Sequence, residues 1–494
     1  MARDFPPLRT LETLRFDNSY ARLPAIFHAK LKPTPLSNPH LVSVNPEAAT
    51  LLDLDLAEAG RSEFAQFFSG QGMLPGAEPL AMLYAGHQFG HFVPQLGDGR
   101  AILLGEVLNS RGERWDLHLK GAGETPFSRS GDGRAVLRSS IREYLGCEAM
   151  HGLGIPTTRA LCIVGSDAEV YREQIERGAT LLRLAPSHVR FGSFEVFFYR
   201  GQPEPIRILA DYVIAQHFPD LADLPDKYPR FLREVVRRTA RLMAQWQAVG
   251  FAHGVMNTDN MSILGITLDY GPYGFIDQFD SGFICNHSDH QGRYAFDQQP
   301  NIGAWNVTCL AQALSPLMPV EAATEALGVY QVAFVDYYIE LMCAKLGISP
   351  CSEAPMLITG LLEKLHANRV DYTIFFRRLN RFQMDPAAPN TALRDLFLDR
   401  AAFDVWAQDY RALLLRQGSQ DAAREARMDR TNPIYILRNY MAQIAIDKAE
   451  AGDFSEIDRL LHLLHTPFDA HLEMAHYAGF PPDWAQQIEV SCSS

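Results

Sequence analysis

The amino-acid sequence predicts an α+β fold with two lobes, a β-rich N-terminal lobe and a large helical C-terminal lobe. Glycines and β-forming residues dominate from Gly86 onward, in short runs that turn signals separate. Further along, apolar residues recur at helical spacing, most clearly from Pro229 to Val249. We therefore divide the chain into an N-terminal extension (1–85) packed on the first lobe, the β-rich lobe (86–195) and the helical lobe (196–494).

Composition excludes several classes of protein. The chain has 494 residues, 47% of them hydrophobic, and a formal net charge of −13, whereas nucleic-acid binding needs a basic surface. No signal peptide is evident, and no run reaches the ~18 consecutive apolar residues of a membrane span. The 7 cysteines form no C-x-x-C pair, which is typical of a reducing compartment. We expect a soluble, cytoplasmic monomer that binds neither nucleic acid nor membranes.

The first predicted strands surround a glycine-rich turn. Two strands, 101–107 and 115–119, are joined by a turn at 109–112. Gly97, Gly99 and Arg100 come directly before the first strand, and Lys120 ends the second. Glycines let backbone N–H groups approach phosphate oxygens, and a lysine adds a compact positive charge. This pattern indicates a phosphate-binding region.

A helix over about 139–150 follows, and it carries Glu143. An ion pair between Lys120 and Glu143 would match the lysine–glutamate pair that orients the strand lysine in kinases. Three further strands are predicted at 158–164, 170–174 and 179–184, which complete an antiparallel sheet with one helix.

The segment from His253 to Gly271 follows the long helix, which we expect Gly250 to end. Its side-chain oxygens at Asn260 and Asp269 suit Mg²⁺ or Mn²⁺. Kinases place these residue types at the end of the H-R-D-x-x-x-x-N loop and at the start of the D-F-G turn. Residues 263–268 would form a short hairpin between them.

The same alignment argues against ordinary kinase chemistry. His253 stands seven residues before Asn260, as in a kinase, but the position of the kinase base is Val255. A valine cannot accept a proton. Asp259 is the nearest carboxylate in the loop.

A zinc site is the alternative that the histidines raise. His87 and His91 have the spacing of H-E-x-x-H, but Gln88 stands where the general base should be, and neighbouring glycines disfavour the helix. We interpret these histidines as turn-stabilising. Cys285 with His287 and His290 offers a second ligand set, which we rank below solvated loop residues.

Long motifs give the chain a family resemblance. It closely resembles the selenoprotein O (YdiU) family of protein adenylyltransferases, which are pseudokinase-like, over residues 86 to about 446 and in the C-terminal Cys492-Ser493-Ser494. The motifs are GHQFGHFVPQLGDGRAILLGE, WDLHLKGAGETPFSRSGDGRAVLRSSIREYL, LLRLAPSHVRFGSFE, HGVMNTDNMSILGITLDYGPYGFID and NPIYILRNYMAQIAI.

The resemblance implies a kinase-like fold, transfer of AMP from ATP to Ser, Thr or Tyr hydroxyls of proteins, and a nucleotide flipped relative to kinases. It implies Asp259 as the catalytic base and Asn260 and Asp269 as ligands of Mg²⁺ or Mn²⁺. We also expect a second role for Asp269, together with Glu143, in the nucleotide site. The nucleotide-binding positions that the resemblance implies are Gly97, Gly99, Arg100, Lys120, Asp132, Gly133, Arg183 and Arg190.

Some alternatives stay open at this level. UMP transfer from UTP would use the same site, and a protein or small-molecule kinase and a non-catalytic nucleotide-binding scaffold are the other readings. The protein targets are not identified, and self-modification is one option. We further hypothesise that Cys285 and Cys492 can pair, which would make activity redox-sensitive.

Overall fold

The computed structural model describes residues 8–491 and contains one large antiparallel sheet followed by a helical region. The strands are β1 (His28–Lys30), β2 (His40–Val44), β3 (Leu80–Met82), β4 (Gly86–Gln88), β5 (His91–Val93), β6 (Ala101–Leu108), β7 (Arg114–Lys120), β8 (Ala135–Val136), β9 (Arg159–Tyr171), β10 (Ile175–Ala185), β11 (Phe251–Ala252) and β12 (Gly274–Phe275).

The large sheet has the strand order β1-β3-β6-β7-β10-β9-β2, and β8 pairs with β10. Three of these strands come from residues before Gly86, so the N-terminal extension is built into the sheet as well as packed on it. The division of the chain at residues 85 and 195 into separate units stays a prediction. Two smaller sheets pair β4 with β5 and β11 with β12.

Alternation along the central strands sends side chains to two different sides of the sheet. On β7, Leu117 and Leu119 pack into a core with Leu182 and Leu184 of β10. The residues between them, including Lys120, therefore point to the opposite side. The candidate site lies on that opposite side.

The helices are α1 (Pro46–Thr50), α2 (Ser62–Phe68), α3 (Leu137–Gly152), α4 (Gly192–Tyr199), α5 (Pro203–His217), α6 (Lys227–Val249), α7 (Gln299–Leu314), α8 (Val320–Leu327), α9 (Val329–Leu346), α10 (Ala354–Ala367), α11 (Tyr372–Leu379), α12 (Thr391–Arg394), α13 (Arg400–Arg416), α14 (Asp421–Met428), α15 (Asn439–Glu450) and α16 (Ser455–His465). Helix α3 packs on β9 and β10 and is covered on another side by α15 and α16.

Helix α6 confirms the longest predicted helix. Its apolar residues are buried on one face, and Gly250 ends it with φ +75°, a left-handed conformation that glycine adopts without a Cβ clash. The chain then enters β11 and the loop that begins at His253. This helix end therefore sets where the loop starts.

Two sequence predictions of local structure are wrong in detail. Residues 170–174 are not a separate strand, because β9 continues to Tyr171 and the next residues turn into β10. The 263–268 segment does not pair with itself as a hairpin. Instead, its flanking residues Ser262 and Thr267 form bridges to Arg190 and Thr157, which supply the backbone partners that a hairpin would have supplied.

Within residues 8–491, no helix combines the length and the apolar character needed to cross a bilayer.

Candidate active site

A cavity of about 750 Å³ opens between the sheet and the helical region. It collects every site residue that the sequence predicts except Glu143, which lies buried behind it. The predicted residues that line it are Gly97, Gly99, Arg100, Lys120, Asp132, Gly133, Arg183, Arg190, Asp259, Asn260 and Asp269.

The glycines at the cavity mouth are required by close packing. A Cβ on Gly97 (φ +124°) would lie 2.8 Å from the Met82 carbonyl oxygen, and one on Gly99 would lie 2.9 Å from the Phe127 carbonyl oxygen. Gly133 has φ +67° and a Cβ there would overlap the backbone of Gly123. The glycine-rich turn is thus held tightly under the loop that follows β7, with its backbone at the cavity wall.

Lys120 and Glu143 form the buried ion pair that the sequence predicts. Burial lowers the pKa of Lys120, although Glu143 opposes that effect. Burial acts to raise the pKa of Glu143, but Lys120 and Arg183 outweigh it and hold the pKa below its ordinary value. Arg183 Nη1 also lies 3.2 Å from Glu143 Oε1. One carboxylate therefore orients two cations of the cavity.

Asp269 is held by the two arginines that the resemblance implicates. Its Oδ1 accepts from Arg183 and its Oδ2 from Arg190. Burial alone would raise the pKa of Asp269, but Arg190 and Arg183 keep it well below the ordinary range. The backbone at Asp269 is left-handed, with φ +60°, a conformation that costs a non-glycine residue about 1 kcal/mol or more and is common at functional sites.

Arg183 and Arg190 retain unused donors. The Nε of each is buried and has no hydrogen-bond partner among the described residues. An unpaired buried N–H is unfavourable, so both guanidinium groups are suited to accept an anionic ligand. Arg190 also stacks over Tyr84, with its Cζ 4.8 Å from the ring centroid.

The loop after α6 is fixed by His253. Its ring Nε2 lies 3.0 Å from the carbonyl oxygen of Leu268, and its Nδ1 lies 3.3 Å from the backbone nitrogen of Val255. The imidazole thereby joins the loop to the residue before Asp269. Because Val255 also lines the cavity, an apolar side chain lies close to Asn260 and Asp269.

Asp259 has the environment of a general base. Its side chain is buried, Oδ2 accepts from Gln88 Nε2 at 3.2 Å, and Oδ1 has no partner among the described residues. Burial raises the pKa of Asp259 to about 7. A carboxylate with one free oxygen and a pKa near neutrality is matched to proton abstraction at neutral pH.

The oxygen donors beside Asp259 fit a hard divalent cation. Asn260 donates its Nδ2 to the Val255 carbonyl at 3.0 Å, and this fixes the amide so that Oδ1 is the atom left for a ligand. Asp269 contributes a carboxylate that stays ionised. An amide oxygen and a carboxylate in one cavity are ligands that Mg²⁺ and Mn²⁺ prefer.

Several cavity residues escaped the sequence analysis. Gln88 contacts Asp259, although the sequence analysis noted Gln88 only because it breaks a zinc motif. Arg172 holds Asp132 through two contacts of 2.8 and 3.0 Å, so Asp132 orders the cavity rim. Both arise from pairings between distant segments, and sequence spacing carries no signal for them.

The zinc alternative at His87 and His91 is not supported by the hairpin that they occupy. His87 lies on β4 and its Nδ1 is 2.7 Å from Glu195 Oε1, while the exposed His91 lies on β5 opposite Gln88. His87, Glu195 and Cys309 have donor atoms within 4.8 Å of one another. However, the other oxygen of Glu195 accepts from Thr258, so this carboxylate already joins two segments of the site.

The predicted Cys285–Cys492 pair is only half described, because Cys492 lies outside the described residues. Cys285 is buried in the loop after β12. The C-terminal segment reaches this loop, where His287 donates its backbone N–H to the Val490 carbonyl at 2.8 Å. The pairing stays a prediction.

Comparison with known proteins agrees with this site. A sequence profile described as "Protein adenylyltransferase SelO" matches residues 10–465. The chain is 62% identical over 488 residues to "Protein nucleotidyltransferase YdiU" of Thiobacillus denitrificans, covering 99% of this chain and 100% of that protein. Proteins of the same name from Myxococcus xanthus (59%) and Thioalkalivibrio sulfidiphilus (58%) match over the same shares. The chain belongs to the SelO family of protein adenylyltransferases, which are transferase enzymes.

Proposed function

We propose that this enzyme transfers AMP from ATP to Ser, Thr or Tyr hydroxyls of proteins and releases pyrophosphate. The observation that carries the proposal is the pairing of Asp259 with Val255 in one cavity. A proton acceptor with a free oxygen lies beside the two metal-ligand candidates, while the kinase base position is a valine. Chemistry at the α-phosphorus is then favoured over γ-phosphoryl transfer.

A kinase-like arrangement is part of the proposal. The order of strand lysine, helix glutamate, loop asparagine and aspartate matches the kinase order. The Lys120–Glu143 ion pair and the contact of His253 with the Leu268 carbonyl support it. We propose that the nucleotide lies flipped, so that its β- and γ-phosphates face the arginines.

The cations of the cavity then have distinct tasks. Lys120, Arg183 and Arg190 bind the phosphates that leave as pyrophosphate, and the unpaired Nε atoms of both arginines provide donors for them. Asn260 and Asp269 would hold Mg²⁺ or Mn²⁺, which when bound neutralises phosphate charge. Because Arg183 and Arg190 contact Asp269 in this structure, they must release it when nucleotide binds.

Asp259 performs the proton transfer. Its carboxylate takes the proton of the acceptor hydroxyl as that oxygen forms a bond to the α-phosphorus. The bond from the α-phosphorus to the bridging oxygen breaks, and pyrophosphate departs with that oxygen. General-base catalysis of this kind contributes typically ~10²–10⁴-fold.

The experiment that tests the proposal uses ATP labelled at the α- or the γ-phosphate, with Mg²⁺ or Mn²⁺ and an acceptor protein. We expect label only from the α-position, an AMP-sized mass increase, and loss of both in Asp259→Ala. Label from the γ-position would identify a kinase instead. No label from either position, with ATP still bound, would identify a scaffold. A parallel reaction with UTP tells whether UMP is the preferred group.

A further inference from the structure

His118 lies directly behind the cavity and belongs to none of the predicted site residues. It is fully buried on β7, two residues before Lys120, and its cross-strand partner on β10 is Arg183. Residues paired across neighbouring strands extend to the same side of the sheet. The imidazole therefore lies on the cavity side with Lys120 and Arg183.

Two polar contacts determine the protonation state of the ring. Arg183 Nη2 lies 2.7 Å from His118 Nδ1, and because a guanidinium can only donate, Nδ1 accepts. Nε2 then carries the proton and donates to Asp98 Oδ2 at 3.0 Å. His118 is thus the neutral Nε2–H tautomer. Burial also lowers the pKa of His118, and the charge of Arg183 adds to that effect.

Asp98 connects this histidine to the glycine-rich turn. It stands between Gly97 and Gly99 and is buried. Its Oδ2 also accepts from the Met82 backbone N–H at 3.0 Å, which ties the carboxylate to β3. The ring therefore forms a continuous buried bridge from the turn to the Arg183 guanidinium.

Packing leaves the ring no freedom to rotate. His188 stacks on it with ring centroids 4.3 Å apart and planes 17° apart. His188 is itself fixed, because its Nδ1 lies 3.0 Å from Asp116 Oδ2. An imidazole held by two hydrogen bonds and a stacked neighbour is a rigid spacer.

We propose that His118 is a positioning residue, which aligns the Arg183 guanidinium for the phosphates of the bound nucleotide by accepting its Nη2–H while Asp98 holds the ring. The proposal rests on the proposed function for the identity of the ligand. Arg183 Nη1 is engaged by Glu143 and Asp269 and Nη2 by His118, so Nε is the donor that remains for an anion.

Two substitutions separate the ends of the bridge. His118→Asn places an amide oxygen near the Nδ1 position and can still accept from Arg183, while His118→Gln places its amide near Nε2 and reaches Asp98 only. A hydrogen bond to a charged group contributes about 1.5–3 kcal/mol, or roughly 10–100-fold. We expect His118→Gln to raise the Kd and KM for ATP by roughly this factor, and His118→Asn to raise them much less.

His28→Asn is the matched control. His28 is also a buried histidine of the same sheet, but its Nδ1 has no partner among the described residues. We expect it to change the thermal midpoint without changing the Kd for ATP. Equal weakening of ATP binding by His118→Asn and His118→Gln would overturn the proposal, because the ring would then act through packing alone.

A double-mutant cycle with Arg183→Lys tests whether the effect passes through Arg183. A lysine has no second donor nitrogen for His118, so His118→Gln should cost little more in that background. Additive losses would reduce His118 to a structural role. The Kd for ATP with metal is measured alongside transfer of α-label. Absence of transfer by the wild type would therefore contradict the proposed function, while the order of Kd values would still decide the role of His118.

Discussion

Gly86 and Asp259 lie in direct contact, although 173 positions separate them in the sequence. A Cβ on Gly86 would lie 2.8 Å from the Cβ of Asp259 and would overlap its Oδ1. The missing side chain is therefore the space that the free carboxylate oxygen occupies. We expect Gly86→Ala to lower kcat for nucleotidyl transfer by about tenfold or more, because small displacements of a catalytic group are costly.

The control for Gly86→Ala is Gly360→Ala on α10, where a Cβ would meet no atom within 4 Å. It should leave transfer unchanged. Both variants are compared by kcat and by circular dichroism. Wild-type kcat in Gly86→Ala, with the fold intact, would show that the Asp259 carboxyl has room to spare.

The raised pKa of Asp259 predicts a pH profile. Burial raises this pKa to about 7, so the fraction of Asp259 in the proton-accepting carboxylate form increases as the pH rises through neutrality. We expect kcat/KM for ATP to increase from about pH 6 to about pH 8 and then level off. ATP binding measured at the same pH values corrects for titration of the nucleotide. Residual activity of Asp259→Asn should show no such rise.

Glu143 predicts a combined loss of binding and stability. Glu143→Gln removes the charge that orients both Lys120 and Arg183. Breaking a buried ion pair by removing one partner costs about 3–5 kcal/mol. We expect a lower midpoint of urea unfolding and a KM for ATP raised about tenfold or more. Glu169→Gln, an exposed glutamate on β9, is the control and should change neither quantity.

Glu148 predicts a pH effect on stability that is separate from the site. This buried carboxylate binds Arg159 at 2.6 Å and His465 at 2.8 Å, and so joins α3 to β9 and α16. Burial alone would raise its pKa, but hydrogen bonds from His465 and Arg159 lower it from 4.5 to about 2. Its contribution is therefore present above pH 4.5 and is lost as the pH falls towards 2.

We expect Glu148→Gln to unfold at a lower urea concentration than the wild type at pH 7. The difference should shrink between about pH 4.5 and about pH 2, where the wild-type carboxylate becomes protonated. A difference that stays constant down to pH 2 would show that shape, and not charge, stabilises this junction.

The C-terminal segment predicts a redox response. Since Val490 hydrogen-bonds to His287, the chain end runs beside the loop that contains Cys285. Under oxidising conditions we expect a non-reducing peptide map to contain a Cys285–Cys492 cross-link. Cys285→Ser should abolish both the cross-link and any difference in activity between oxidised and reduced enzyme. Cys351→Ser, at a half-buried cysteine elsewhere, is the control. Two free thiols after oxidation would contradict the prediction.

The sequence predicted those features that depend on local pattern. Alternation located β6 and β7, apolar periodicity located α6, and Gly250 marked the helix end. The Lys120–Glu143 pair followed from their placement on a strand and the next helix. Alternation on β7 also puts His118 on the same face as Lys120, so that residue was accessible to sequence reasoning and was overlooked.

Contacts between distant segments could not be predicted. Nothing local in Gln88 indicates that it reaches Asp259, and nothing in Ser262 or Thr267 shows that their backbone partners are Arg190 and Thr157. The sequence also assigned the first 85 residues to a packed extension, whereas they supply β1, β2 and β3 to the sheet. Such pairings depend on the whole topology, which spacing along one chain does not contain.

The position of α16 has a consequence for biosynthesis. Asp458 of this helix hydrogen-bonds to Ser43 of β2 at 2.7 Å across 415 positions of sequence, and His465 completes the Glu148 cluster on α3. Helix α3 also carries Glu143. The sheet that binds nucleotide therefore cannot reach its final packing until nearly the whole polypeptide has left the ribosome. The nascent chain should acquire ATP affinity late, in one step near the end of translation.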